Sequence, residues 1–355
     1  MVLRKSIMAV IAHPWSVGSQ DILFNPRWVG AKCHFGPEFL RLLPQTQLQM
    51  AVSDLSFDTM SAYIVFIHKN EGHSAQLALG VVMSLTPVDL KIRPRRMDFG
   101  LPDPLPRHWH SNDPFKTHFF NAMSVLFPDG ERYFIDSVRP FRAQIKDPVL
   151  LEQISGFIGQ EGHHSREHID YNNRLRALGY NIDRLEMPVK RRIRFVQKQF
   201  SAERQLAGTV AMEHFTAILA NALLSEPQWL AQASPEMQKL WRWHALEETE
   251  HKAVAFDVYM QVCGDRKILR RAMRQATFFF LKDVTKGTLH MLKKDGKLTL
   301  SVWCKGMLWL WGRQGFFTRL IPAYRDFYRN DFHPWQHNNA VLMEQVAKEF
   351  ELQPA

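Results

Sequence analysis

The sequence predicts an all-α protein, a four-helix bundle with additional C-terminal helices. Three observations predict it. Between about Asp113 and Val262 apolar residues recur at steps of three and four, and each run has a start or stop signal at its ends. Glu-x-x-His occurs twice within those runs, at Glu161/His164 and Glu248/His251. The remainder, to the C-terminus, is again helical in pattern.

The elements follow in order. Residues 1–82 mix short apolar runs with Pro, Gly, Ser and Asn and hold no sustained period, so they read as a poorly ordered N-terminal extension, with a short helix around Pro37–Leu43. Residues 83–262 form the bundle, and 263–355 are helices packed on it. The first bundle helix runs from about Phe115 to Phe127 and is expected to break at Pro128-Asp129-Gly130, because proline lacks the backbone donor. A new turn then starts at Glu131. The second helix opens at Asp147-Pro148, an N-cap followed by proline in the first turn, and runs to about Gly179. The third spans about Ser201 to Ser225, ahead of Pro227. The fourth runs from Ser234-Pro235 to about Val262, with Gly264 as its stop.

On the second helix Ile154, Phe157, Glu161, His164, His168, Asn172 and Leu175 share one face. Apolar residues at both ends turn this stripe inward, so a carboxylate and two imidazoles in its middle need partners. The fourth helix repeats the arrangement with Leu240, His244, Glu248, His251 and Ala255. The third brings Glu213 between Val210 and Ala217, and the turn after the first brings Glu131. One Glu from each of two helices and Glu-x-x-His from each of two others is the ligand set of a dinuclear carboxylate bundle. Four buried carboxylates alone would each cost on the order of several kcal/mol, and two divalent cations balance their charge.

Glu131, Glu161, His164, Glu213, His244, Glu248 and His251 therefore read as ligands of two metal ions. Glu131, Glu161 and His164 would hold one, and Glu213, Glu248, His251 and His244 the other, with glutamates bridging. His168 is either an eighth ligand or a hydrogen-bond partner of one. Carboxylate and imidazole donors suit iron, with manganese or zinc as alternatives. Glu167, Glu247 and Glu250 fall off the stripes and face solvent or support ligands from outside, and Asp170 and Asp257 are candidate acceptors for ligand imidazoles. A competing pattern overlaps. His164-Ser165-Arg166-Glu167-His168 spells His-x-x-Glu-His, an inverted zincin in which Glu167 is the catalytic base and Glu248 the third ligand. It leaves Glu131, Glu213, His244 and His251 without a role.

These segments resemble a bacterial family of predicted metal-dependent hydrolases that looks like a ferritin-like di-iron group. The matching stretches are RRMDF (Arg95–Phe99), GER (Gly130–Arg132), QEGHHSREH (Gln160–His168), AMEH (Ala211–His214), WHALEETEHKAVAFD (Trp243–Asp257) and FHPW (Phe332–Trp335). The resemblance covers roughly 83–345. The order His244, Glu248, His251 is also similar to p-aminobenzoate N-oxygenase-type di-iron enzymes, which implies a ligand role for His244. The reading that follows is a di-iron oxidase or oxygenase activating dioxygen on a small or lipid-like organic substrate. The alternatives are a metal-dependent hydrolase using a metal-bound water, and a non-catalytic metal-binding protein.

Composition sets the remaining expectations. The chain is 46% hydrophobic and 23% charged, which suits a globular protein with a sizeable core. Cys33, Cys263 and Cys304 form no CxxC pair, so neither a disulfide framework nor a thiolate metal site is expected and a cytoplasmic setting is the default. No apolar run reads as a membrane span, and the N-terminal Ser6–Ala12 is a poor imitation of a signal peptide. The net charge of +10 is concentrated late: Cys263–Asn330 holds fifteen Lys/Arg against four Asp/Glu, interleaved with aromatic residues. That region suits peripheral contact with an anionic membrane surface or an acidic carrier protein. Nucleic acid is not expected, since no recognised module accompanies the charge.

Overall fold

The computed structural model describes residues 61–351 except 72, 73 and 88, so the short helix expected near Pro37 and most of the expected extension lie outside the described residues. The chain divides into two compact units, Met1–Leu90 and Lys91–Ala355. In the first, β1 (Ser61–Glu71) and β2 (Ser74–Ser84) pair as an antiparallel hairpin with Ala62 opposite Met83. The sequence reading placed no strands here. The run Tyr63–Ile67 is continuously apolar, without the alternation that marks a half-buried strand, and only its β-branched and aromatic content points to one.

The second unit is all-α. Its bundle helices are α1 (Pro114–Val138), α2 (Pro148–Ala177), α4 (Ala202–Ser225) and α5 (Pro235–His251). α1 packs along α2 and α4 along α5, and further contacts of α1 with α4 and of α2 with α5 close the ring. Asp113 and Asp147 cap α1 and α2 with their side chains, which accept from the first free backbone N–H groups.

Three elements differ from expectation. α1 does not break at Pro128 but runs through it. Proline cannot donate to the carbonyl four residues back, Ser124. Asn172 Nδ2 on α2 donates to that oxygen instead, at 3.1 Å, so the helix loses no satisfied acceptor. A helix not expected, α3 (Ile182–Gln199), joins α2 to α4 with only Ile182, Glu186 and Val189 buried. Pro188 and the dense charge hid it. The expected fourth helix is two, α5 and α6 (Val254–Val262), parted at Lys252-Ala253. There the Lys252 ammonium is buried, donates to His337 O and Asn339 Oδ1, and lies 3.9 Å from the Trp335 ring centre.

α7 (Arg266–Lys294) lies against α1 and α4, followed by α8 (Leu300–Trp311), α9 (Phe316–Asp326) and α10 (Ala340–Glu351). Gly287 of α7 meets α1 so closely that a Cβ there would stand 2.7 Å from the Ala122 Cβ. Among the described residues one helix, α4, is long and apolar enough to cross a membrane by length and composition, and 83% of its apolar window is buried inside the protein. That burial marks it as a core helix.

Candidate metal centre

Inward residues of the four bundle helices meet at one place. α1 contributes Glu131, α2 Glu161 and His164, α4 Glu213, and α5 His244, Glu248 and His251, all buried. Continuity of α1 through Pro128 is what brings Glu131 onto a helix face instead of a turn. Four groups at this place have ligand atoms within 4.8 Å of one another: Glu131/Glu161/His164, Glu131/His168/His244, His164/His244/Glu248 and Glu161/Glu213/His251. Glu161 belongs to two of them. Glu248 also spans the site, with Oε1 3.2 Å from His244 Nε2 and 3.5 Å from His164 Nδ1, and Oε2 3.5 Å from His251 Nε2. His244 thus falls on the side of His164, their rings stacked 4.2 Å apart, and not with Glu213 as the sequence reading divided them.

The polar atoms of this cluster are close to one another and poorly aligned. His251 Nε2 is 3.1 Å from Glu161 Oε1 and 3.4 Å from Glu213 Oε2. Yet both oxygens of Glu131, Glu161 and Glu213, both nitrogens of His164, Glu248 Oε2 and His251 Nε2 make no hydrogen bond of acceptable geometry. Buried polar atoms are paired in almost every folded protein. Buried polar atoms that lie this close without bonding to one another call for another partner, and a cation is one that carboxylates and imidazoles accept. Ligand atoms about 2.1 Å from one ion and at right angles lie about 3 Å apart, close to the contacts seen. The donor set, four carboxylates and three imidazoles, therefore fits two divalent cations.

Electrostatics agree. Burial pushes the Glu131 and Glu213 carboxyls well up; the neighbouring carboxylates Glu161 and Glu248 add to it in both, while His164, and at Glu213 first His251, oppose it. Burial also raises Glu161. Burial alone would raise Glu248 too, but the surrounding imidazoles outweigh it and hold it well below the carboxylate range. Burial alone would lower His164, but Glu247 and Glu248 outweigh it and push it up to about 10. His244 is lowered to about 4, by burial and then by His164.

Each imidazole is also held from outside. Glu247 Oε2 stands 3.2 Å from His164 Nε2. His251 Nδ1 meets Gln160 Oε1 at 2.9 Å, and Gln160 Nε2 donates to Glu250 Oε2 at 2.6 Å, which fixes the amide with its oxygen toward His251. Arg95 grips Glu250 with two nitrogens at 2.7 and 2.6 Å, and its backbone N–H donates to Glu247 Oε1. His168 meets His244 Nδ1 through Nε2 at 3.0 Å and Ser124 Oγ through Nδ1 at 2.9 Å, so both its nitrogens are engaged.

Of the two roles left open for Glu247 and Glu250, the structure gives them the supporting one: both are buried. Steps of four, three and four through Leu240, His244, Glu247 and His251 could have placed Glu247 inward, as Phe157, Gln160 and His164 could have placed Gln160. Arg95 had no periodic signal. Glu167 does not join the cluster: it pairs with Arg166 at 3.0 Å on a different face of α2. Asp170 pairs with Arg174, and Asp257 pairs with His333 of the FHPW segment, so neither accepts from a ligand imidazole.

An apolar cavity adjoins the centre. Its wall includes Met123, Phe127, Leu223, Trp241 and Phe316, together with His244 and Glu248. Comparison with known proteins gives one finding: a family model described as "Predicted metal-dependent hydrolase" matches residues 93–338. No curated protein and no solved structure matches the chain.

Proposed function

Because the chain belongs to the family of predicted metal-dependent hydrolases, we propose that it is a dinuclear metalloenzyme that hydrolyses a small or lipid-like organic substrate. One observation carries the dinuclear reading. A buried set of carboxylate and imidazole atoms, unbonded to one another, converges from four helices. Glu131, His164 and His244 would hold one ion, Glu213 and His251 the other, and Glu161 and Glu248 both. Two divalent ions there would supply Lewis acidity and lower the pKa of a bound water, and iron would also supply electrons to dioxygen. The chain's own residues do the rest. The apolar wall excludes bulk water from the centre. His244 and Glu248 face that cavity, so a substrate meets the centre on the α5 side. Glu247, Gln160 and His168 hold the ligand rings in orientation.

A second reading, a di-iron oxidase or oxygenase, is favoured by the cavity's poverty in proton donors. Apart from the ligands themselves, its described wall offers only the Thr216 hydroxyl and the Trp241 indole N–H, neither of them an acid. A hydrolase must protonate a leaving group on the substrate, whereas oxidation of an apolar substrate has no leaving group there and needs protons only for the reduction of dioxygen. Loading with different metals separates the two. Zinc-loaded protein should cleave model esters without oxygen if hydrolysis is the activity. Ester-inert zinc protein, with rapid oxygen uptake by anaerobically reduced iron protein, would establish the oxidase and sink the hydrolase.

We also propose that the outer face of α8 meets an anionic lipid surface. Leu300, Leu308 and Trp311 are exposed along one face, beside exposed Lys297, Lys305 and Arg313.

A further inference from the structure

We propose that Asn172, Ser124 and His168 form a proton-ordering relay, anchored by Pro128, that fixes His244 in the one tautomer able to bind a metal through Nε2. This inference rests on the dinuclear reading and assigns positioning roles to residues outside the ligand set.

Four contacts in series fix where each proton sits. Pro128 leaves the Ser124 carbonyl without its helical donor, and Asn172 Nδ2 donates to it at 3.1 Å. A flipped amide would set two carbonyl oxygens against each other, so the orientation of Asn172 is fixed. Its Oδ1 then accepts from the Ser124 hydroxyl at 2.9 Å. That hydroxyl has one proton. With the proton given to Asn172, Ser124 Oγ accepts from His168 Nδ1–H at 2.9 Å. Neutral His168, buried and without a carboxylate partner in this chain of contacts, then carries its lone pair on Nε2. It accepts from His244 Nδ1–H at 3.0 Å. Neutral His244 is left with a lone pair on Nε2, the atom 3.2 Å from Glu248 Oε1 and in reach of the His164 group.

Without the relay the opposite order would prevail, because Glu248 would draw a proton onto Nε2. Such a proton blocks coordination. The relay holds the ring ready for a cation at the cost of facing a lone pair toward a carboxylate while the site is empty of one. His164 and His251 have other arrangements, Glu247 and the Gln160 amide, so the relay acts on His244 alone.

The test uses the full chain freed of metal. Ring-nitrogen NMR, assigned with single-histidine variants, reads the tautomers directly. Wild type should show His168 and His244 both protonated at Nδ1. Ser124→Ala should shift His244 toward the Nε2–H form with the helical circular dichroism unchanged. His244 protonated at Nε2 in wild type would overturn the proposal. Affinity for Co(II), measured by competition with a chelator, supplies a second readout. His168→Leu should lower it by about 10- to 100-fold, and His168→Gln, whose amide oxygen can accept from Nδ1–H, should recover most of the loss. Equal losses in the two variants would mean that His168 acts by packing alone, and the relay would be wrong. Failure of the dinuclear reading is distinguishable, because wild type would then bind no Co(II) while its tautomers remained measurable.

Discussion

Glu247 and Glu250 sit almost wholly buried beside other carboxylates, and Arg95 is the cation that answers both. Glu250→Ala removes the bidentate partner of Arg95 and the acceptor of Gln160. It should cost about 3 kcal/mol, seen as a lower denaturant midpoint with an unchanged slope. Away from the metal centre, His118 is the clearest titrating group. It is buried against Asp295, at 2.9 Å, and burial lowers it from 6.5 to about 4 despite that carboxylate. An imidazole depressed on folding binds its proton more readily in the unfolded chain. Stability is therefore whole above pH 6.5 and falls as pH drops toward 4, by about 3 kcal/mol in total. His118→Phe should flatten that slope in denaturation followed across the same window. A slope unchanged in the variant would assign it elsewhere. The cluster of His108, His118 and Asp295 has spacing that suits a metal. But Asn121 Nδ2 donates to His118 Nδ1, which leaves the proton on Nε2 facing Asp295, so the cluster is a hydrogen-bonded brace between α1 and the end of α7.

At the scale of elements, what was legible followed from the helical period. Ile154 through Leu175 on α2 and Leu240 through His251 on α5 announced inward stripes, and proline-led N-caps gave their starts. What was illegible depended on contacts distant in sequence. Pro128 reads as a breaker until Asn172, forty-four residues away, takes over the carbonyl it abandons. Glu167 shares its motif with two site histidines and still points elsewhere, since adjacent residues on a helix diverge by about 100°. Arg95 lies before the first helix, where no period exists to reveal it. The brace on α1 is testable. Gly287→Val places a branched side chain against Ala122 and should cost about 1–3 kcal/mol by overpacking. A neutral effect on thermal stability would show that α7 can shift without loss.

Considered whole, the second unit is a ring of four helices around charged residues, with α7, α8 and α9 placed outside it. The sequence showed both the basic excess of residues 263–330 and its aromatic neighbours, but only the fold separates Trp309 and Phe316, stacked 5.7 Å apart within the protein, from Leu308 and Trp311 on the surface. The full chain should cosediment with phosphatidylserine vesicles at low salt and release them at about 1 M, where the Debye length is about 3 Å. Leu308→Asp should weaken that binding several-fold, and equal binding to neutral vesicles would remove the electrostatic part of the proposal. If the inward carboxylates and imidazoles hold metal, counting the ions shows it most directly. Elemental analysis of protein purified without added metal, then saturated and desalted, should find two ions per chain in wild type. Glu161→Ala, which removes a carboxylate shared by both sides, should fall to one or fewer. A saturated wild type carrying no metal, or a Glu161→Ala protein that still carries two ions, would contradict the account.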